Sequence, residues 1–449
     1  MPKNKLCLQS TKSLLPWKPF YVVKDDVLPN EYHEMIHHLW FEWNPENSEP
    51  LSKCCGERQT IHCWREIDLQ GVSDFYTRKS LWHVKYAVRK CCNCGRFNTD
   101  EIPFRFGLTK CTIDLAKKIC DDLSTSESIK SVADRYALSW DTVKNVSYAM
   151  LKDLKAREKI PEKPRICIVD EFSVEKHHKY ATLVIDAERK YPLWIARGNE
   201  KSSFKPFFHK YRKIWYDKLE AFAMDQNAGY AAVVKEEMPN VTVVCDPFHM
   251  IKNYNDDVIE PVRKRFLRES KRNGDKELSS LLKGSKRLLG MKFQGKLSKK
   301  EHEAKLKLDL LMEQNKELDT CIHVREQLQG LYDTCRDEKL MEKKWNEWCS
   351  IAEASDVPEL VRFARKKRAK SQEVINHAKF AISSGPIEGF MNKIKVIKRN
   401  AYGYRDWDYF FLRIWWALLP RKDKGALYLR YWDEQNTIEI CDRKGNKIA

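Results

Sequence analysis

The sequence predicts an α/β protein. A mixed five-stranded sheet is interrupted by a large all-helical insertion and preceded by a cysteine-bearing segment and a small helical domain. Three observations predict it. First, three apolar runs each end in an aspartate: Ile166-Cys167-Ile168-Val169-Asp170, Ala221-Phe222-Ala223-Met224-Asp225 and Val243-Val244-Cys245-Asp246. Second, no proline occurs between Pro261 and Pro358, where Lys, Glu and Leu dominate at helical spacings such as Leu306-Leu310-Leu311 and Leu318-Ile322. Third, Gly385-Pro386 opens a stretch in which Glu388, Asn392, Lys395 and Arg399 fall on one stripe of a helix and Ile387, Ile394 and Ile397, with Phe390, on another.

Composition bounds the function classes. The chain of 449 residues carries 82 Lys and Arg against 64 Asp and Glu, a net charge of +18, with 11% aromatic residues. That balance suggests an anionic polymer partner, and charge alone does not separate nucleic acid from an acidic membrane surface. The apolar runs are strand-sized, far below the roughly 20 residues that span a bilayer, and Lys3 and Lys5 precede no signal-peptide core. The expectation is a cytoplasmic, nucleoid-associated protein with no membrane partner. Its 15 scattered cysteines read as reduced thiols, apart from one cluster.

Residues 1–50, with prolines at 16, 19, 29, 45 and 50, read as irregular. Residues 51–105 form a zinc-ribbon-like segment. Cys91-x-x-Cys94-Gly95 is a knuckle whose glycine allows the tight turn that points two thiolates at one Zn²⁺. The facing pair is open: Ser52 stands where a first cysteine would be, and Cys54, Cys55, His62 and Cys63 are all candidates. Residues 106–158 read as three helices, over 112–123, 127–136 and 140–154, with the spacing of a helix-turn-helix and Ser139 as a cap. Thr142, Lys144 and Asn145 on the last helix are the candidates to reach base edges or phosphates.

Residues 164–254 alternate strand and helix. Three strands at hairpin spacing are followed by helix, strand, helix and strand, which is the order of an RNase H-like fold. In that order the first, fourth and fifth strands are parallel and present Asp170, Asp225 and Asp246 at one edge. Strands lie about 4.8 Å apart and the fourth is the immediate neighbour of the first. Asp225 can therefore share a metal with Asp170 more easily than Asp246 can, which leaves Asp246 and His249 as an accessory pair. Asp186 ends an antiparallel strand and takes a turn role. Residues 255–380 are the helical insertion, closing on the basic run 362–370. Residues 381–420 supply the Glu388 helix, a Tyr402-Gly403-Tyr404 turn and an aromatic helix over 407–416, and 421–449 read as a polar tail.

Phosphodiester cleavage by two divalent metals roughly 3.5–4 Å apart needs hard oxygen ligands, and three carboxylates from two strand ends and one helix provide them. The motifs Val169-Asp170-Glu171-Phe172-Ser173, Met224-Asp225-Gln226, Cys245-Asp246-Pro247-Phe248-His249, Gly385-Pro386-Ile387-Glu388-Gly389 and Lys395 through Tyr404 resemble those of the DDE transposases, most closely the ISL-three family of insertion-sequence transposases. The cysteine knuckle and the helices after it match that family's N-terminal layout.

The resemblance implies catalytic carboxylates at Asp170, Asp225 and Glu388 holding Mg²⁺ or Mn²⁺, and Zn²⁺ at Cys55, Cys91 and Cys94. Asn392, Lys395 and Arg399 would lie along DNA. The expected activity is metal-dependent strand cleavage at terminal inverted repeats and strand transfer to target DNA, by a homo-oligomer assembled on the double-stranded DNA. The alternative is a transposase-derived DNA-binding regulator without catalysis. A different nuclease of the same fold is weaker, since it needs no N-terminal DNA-binding region.

Overall fold

The computed structural model describes residues 20–43, 50–72, 79–124, 127–159, 161–175, 179–226, 228–290, 298–382, 385–401 and 405–436. The chain divides into two compact units, residues 1–160 with 394–449 and residues 161–393.

The first unit opens with strands β1 (Phe20–Pro29), β2 (Met35–Trp43), β3 (Gln59–Gly71), β4 (Lys79–Cys91) and β5 (Phe97–Thr99). They form one sheet in the order β1-β2-β4-β3, with β5 on β4. Only β2 and β4 run parallel among its pairings. Two strands therefore occupy 20–43, where an irregular segment was expected. Leu39 and Phe41 of β2 join Phe20, Leu69, Trp82, Val84 and Phe104 in a core. The strand is disguised because His37 also points inward, hydrogen-bonded at 2.6 Å to the half-buried Asp25. A polar residue at an inward position breaks the apolar alternation by which a strand is recognised.

Helices α1 (Ile113–Ser124), α2 (Ile129–Arg135) and α3 (Trp140–Ala156) follow at the expected places. Ser128 and Ser139 cap α2 and α3, accepting from the backbone N–H of Ser131 and Thr142. Each cap satisfies a donor that the helix itself cannot.

The second unit contains β6 (Ile166–Glu175), β7 (Lys179–Asp186), β8 (Tyr191–Arg197), α4 (Lys201–Trp215), β9 (Ala221–Met224), α5 (Ala228–Glu237) and β10 (Thr242–Cys245). Its sheet has the order β10-β9-β6-β7-β8. β9 pairs parallel with both β6 and β10, while β6, β7 and β8 are antiparallel neighbours. Phe204, Phe207, Phe208, Tyr211 and Trp215 of α4 pack with Phe222 and Val169. Asp186 is buried and accepts from the backbone N–H groups of Glu188 and Arg189, the turn role expected of it.

Helix α6 (Pro247–Tyr254) passes through a π-turn (Asn255–Ile259) into α7 (Glu260–Arg272). The helical stretch continues with α8 (Lys276–Gly284), α9 (Lys286–Leu289), α10 (Lys299–Glu313), α11 (Lys316–Thr334), α12 (Glu338–Glu353), α13 (Pro358–Arg368), α14 (Ser371–Ile375) and α15 (His377–Phe380). Leu318, Ile322, Leu328, Trp345, Trp348 and Leu360 belong to its core.

Helix α16 (Gly385–Asn400) starts one residue before Pro386. Ser383, Ser384 and the Tyr402–Tyr404 turn lie outside the described residues. In the first unit, α17 (Trp407–Leu418) is held by Tyr409 Oη on Ser147 Oγ at 3.1 Å and Trp415 Nε1 on Glu158 Oε1 at 2.7 Å. Helix α18 (Arg421–Asn436) stands where a polar tail was expected. Tyr431 and Trp432 on it are buried, so two aromatics in a charged sequence suffice to dock it. Residues 437–449 lie outside the described residues.

Candidate functional site

Asp170 and Asp225 come level with each other because of the β6–β9 register. Ile168 pairs with Ala223, and each aspartate lies two residues further on. Residues at the same level of adjacent parallel strands share a face and a spacing of about 4.8 Å. Asp246 follows β10, and its N–H donates to Met224 O at 2.9 Å.

The three aspartates then part company. Asp246 is buried and caps α6, accepting from Phe248 N at 2.9 Å. Pro247 beside it has no N–H to satisfy, so the pair is a strong helix start. That cap aims α6 so that His249 stands between the other two carboxylates. Its Nε2 is 3.4 Å from Asp170 Oδ1 and its Nδ1 4.0 Å from Asp225 Oδ2. Burial works against protonation of this imidazole, but the hydrogen bond and charge of Asp170, with the fields of Asp246 and Asp225, outweigh it and raise its pKa. One turn along α6, Asn253 Nδ2 donates to Asp225 Oδ1 at 3.3 Å. Asn253 was not singled out from the sequence, although its spacing of four from His249 on a helix was available as a signal. Glu171 points away from this group and accepts from Asn199 at 3.0 Å.

Glu388 sits in the first turn of α16, where the helix dipole favours a carboxylate. Ile387, Phe390, Met391 and Ile394 are buried, while Glu388, Asn392, Lys395 and Arg399 are exposed, so the two stripes separate as expected. Among the described residues Asp170, Asp225, Glu388 and His249 do not close to within 4.8 Å as a ligand set, whereas four cysteines do.

That set is Cys54, Cys55, Cys91 and Cys94. It adds Cys54 to the three expected ligands. Cys54 Sγ lies 3.3 Å from Cys94 Sγ. Ser52 is buried behind the set with its Oγ 3.3 Å from Cys91 Sγ. Hydrogen bonds from Ser52 and from the Cys94 and Asn93 backbones hold the Cys91 thiol down to about 6. Gly95, at φ 70°, supplies the left-handed turn behind the knuckle. Four thiols at this spacing suit tetrahedral Zn²⁺. His62 packs against Phe97 and Cys63 is paired within β3–β4, so neither belongs to the set.

On α3, Asn145 is exposed, Thr142 is engaged at the Ser139 cap, and Lys144 is ion-paired with Asp406 at 2.8 Å. Trp140 and Lys144 also border a cavity of about 560 Å³ lined in part by Ile397, Tyr409 and Trp416. The basic run 362–370 is not a uniform solvated face. Arg362, Arg365 and Lys366 are exposed, whereas Lys367 is buried.

A mixed sheet with level aspartates at its parallel edge, a glutamate-bearing helix after a long run of helices and an N-terminal cysteine set fit a transposase. The chain belongs to the DDE transposases of the ISL-three type: the family model described as "Transposase" matches residues 167–414, more than half of the chain. Among curated proteins it is similar to the "Transposase for insertion sequence element IS1001" of Bordetella parapertussis, 29% identical over 367 residues, covering 81% of this chain and 87% of that protein. It also resembles the "Transposase for insertion sequence element IS1557" of Mycobacterium tuberculosis, 23% identical over 306 residues, covering 63% and 66%. Among the described residues no helix is long and apolar enough to cross a membrane.

Proposed function

We propose that this transposase binds the terminal inverted repeats of its own insertion sequence, cleaves the DNA strands there and joins the ends to target DNA. Residues 164–254 and 381–420 form an RNase H-like catalytic core, and residues 255–380 are inserted into it. Residues 51–105 act as a zinc-ribbon-like segment and 106–158 as a helix-turn-helix, together recognising the ends. The working form is a homo-oligomer on DNA in the nucleoid.

The observation that carries the reading is the placing of one imidazole 3.4 Å from Asp170 and 4.0 Å from Asp225 at a parallel sheet edge. Asp170, Asp225 and Glu388 are the catalytic carboxylates and supply only hard oxygens, the donor type that Mg²⁺ and Mn²⁺ take. Bound metals would activate the attacking oxygen and stabilise the leaving oxygen of the phosphodiester. His249 stands beside Asp170 and Asp225 and helps to orient both. Asp246 acts through His249, by setting the start of α6. Asn392, Lys395 and Arg399 run on from Glu388 along the exposed stripe of α16 and contact phosphates beside the scissile bond. Asn145 is the outward residue of α3 for base contact, with Thr142 and Lys144 positioned next to it.

The test is cleavage of DNA carrying the element's own ends by the full chain, with Mg²⁺ or Mn²⁺ and after chelation. Metal-dependent nicks at the element boundary are expected. Specific binding of the ends without any cleavage in either metal would instead identify a DNA-binding regulator.

A further inference from the structure

Asp225 is the more exposed of these two aspartates, its side chain 43% accessible against 12% for Asp170. It also follows β9, which is four residues long, whereas Asp170 lies within the ten-residue β6. A carboxylate at the end of a short strand has little backbone pairing to fix it. The helical insertion supplies what the strand lacks. Lys367 Nζ donates to Gln226 Oε1 at 2.8 Å, and Lys370 Nζ donates to the Gln226 backbone carbonyl at 2.6 Å. The two lysines grip the residue after Asp225 from the side chain and the main chain at once.

Lys367 is 4% exposed. It faces Gln226 Oε1, with the Phe363 ring 5.5 Å away. Burying an ammonium with so few partners is costly, and burial lowers the Lys367 pKa. Lys366 and Lys370 nearby also disfavour the charge on Lys367, whereas Asp225 favours it. A surface cation in a basic run needs no such arrangement. Gln226 N in turn donates to Asp225 Oδ1 at 2.7 Å, so Gln226 passes the constraint directly to the carboxylate.

We infer that Lys367 and Lys370 are positioning residues for Asp225, and that the insertion holds the second carboxylate of the metal site through Gln226. The inference rests on the catalytic reading above and adds the device that sets the geometry. Outer partners that orient a metal ligand commonly change metal affinity 10- to 100-fold when removed. The two lysines differ in risk to folding, because Lys370 is only partly buried.

The experiment is Mn²⁺ titration by calorimetry of the full chain, alongside Lys370→Met, Lys367→Met and Asp225→Ala. Thermal unfolding and end-DNA binding are measured on the same samples. The expected result is about 10-fold weaker Mn²⁺ binding in the Lys370→Met protein, with unchanged unfolding temperature and end binding. Lys367→Met should weaken it at least as much, and Asp225→Ala should abolish the heat. A folded Lys370→Met protein that binds Mn²⁺ as the wild type does overturns the inference and leaves the catalytic reading standing. A wild-type protein that takes no Mn²⁺ overturns both. Should Lys367→Met fail to fold, Lys370→Met and Gln226→Ala decide the matter.

Discussion

Replacing Cys54 should strip zinc from the cysteine set, although Cys54 is not one of the positions that a regular pair of CxxC knuckles would use. A tetrahedral site with Zn–S bonds near 2.3 Å needs sulfur–sulfur separations of about 3.8 Å. The four thiols already lie within 4.8 Å of one another, with Cys54 and Cys94 at 3.3 Å. Bringing them to the ligand geometry therefore takes side-chain rotation and no backbone movement. Structural zinc sites bind with apparent dissociation constants of roughly 10⁻⁷ to 10⁻¹² M. An even share among four ligands makes one thiolate worth on the order of 100- to 1,000-fold in affinity. The assay is zinc content by mass spectrometry with chelator competition on wild type, Cys54→Ala and Ser52→Cys. One zinc per chain is expected for wild type and for Ser52→Cys, and loss to a mild chelator for Cys54→Ala. The reasoning is refuted if Cys54→Ala competes as wild type does, or if zinc appears only once Ser52 is made a cysteine.

Arg399→Ala should weaken binding of cleaved ends and reduce the log–log salt slope by about 0.9, one phosphate contact's share, with Mn²⁺ affinity unchanged; filter binding across a salt series reads it. Asp246→Ala should cost about 1 kcal/mol of stability through the lost α6 cap. It should slow cleavage by misplacing His249 yet leave Mn²⁺ binding in place, checked by denaturation and calorimetry together. Burial alone would raise the Asp406 carboxyl, but the Lys144 ammonium and the Tyr409 N–H outweigh it and hold the carboxyl below the usual range. Its contribution is therefore present above the ordinary carboxylate value and is lost as pH falls through the lowered one. Wild type should lose stability below about pH 4 more steeply than Asp406→Asn does, as followed by thermal unfolding.

The strands that carry Asp170, Asp225 and Asp246 were legible because each is an apolar run stopped by a carboxylate. The parallel pairing of β9 with β6 and β10 then agrees with the order in which strands and helices alternate. Ser139 was legible as a cap because its chemistry is local. What sequence could not supply depends on partners far along the chain. Lys367 sits in a run of cations that reads as a wet surface, and only the fold brings Gln226 to it across 141 positions. His37 hides β2 because its inward position is tolerable only beside Asp25. Tyr431 and Trp432 look isolated among charges until α18 docks them in the first unit. Cys54 was one of four open candidates for the missing ligands, because the choice between it, Cys55, His62 and Cys63 is made by the turn that precedes β3 and by nothing in their spacing.

The most direct measurement is metal-dependent cleavage of the element's ends by Asp170→Ala, Asp225→Ala and Glu388→Ala proteins, each first shown to be folded and to bind those ends. The account predicts that all three bind nearly as wild type does and that none cleaves, while Asp246→Ala retains reduced cleavage. An Asp225→Ala protein that cleaves, beside an Asp246→Ala protein that is inert, would contradict it by moving the second carboxylate from β9 to β10.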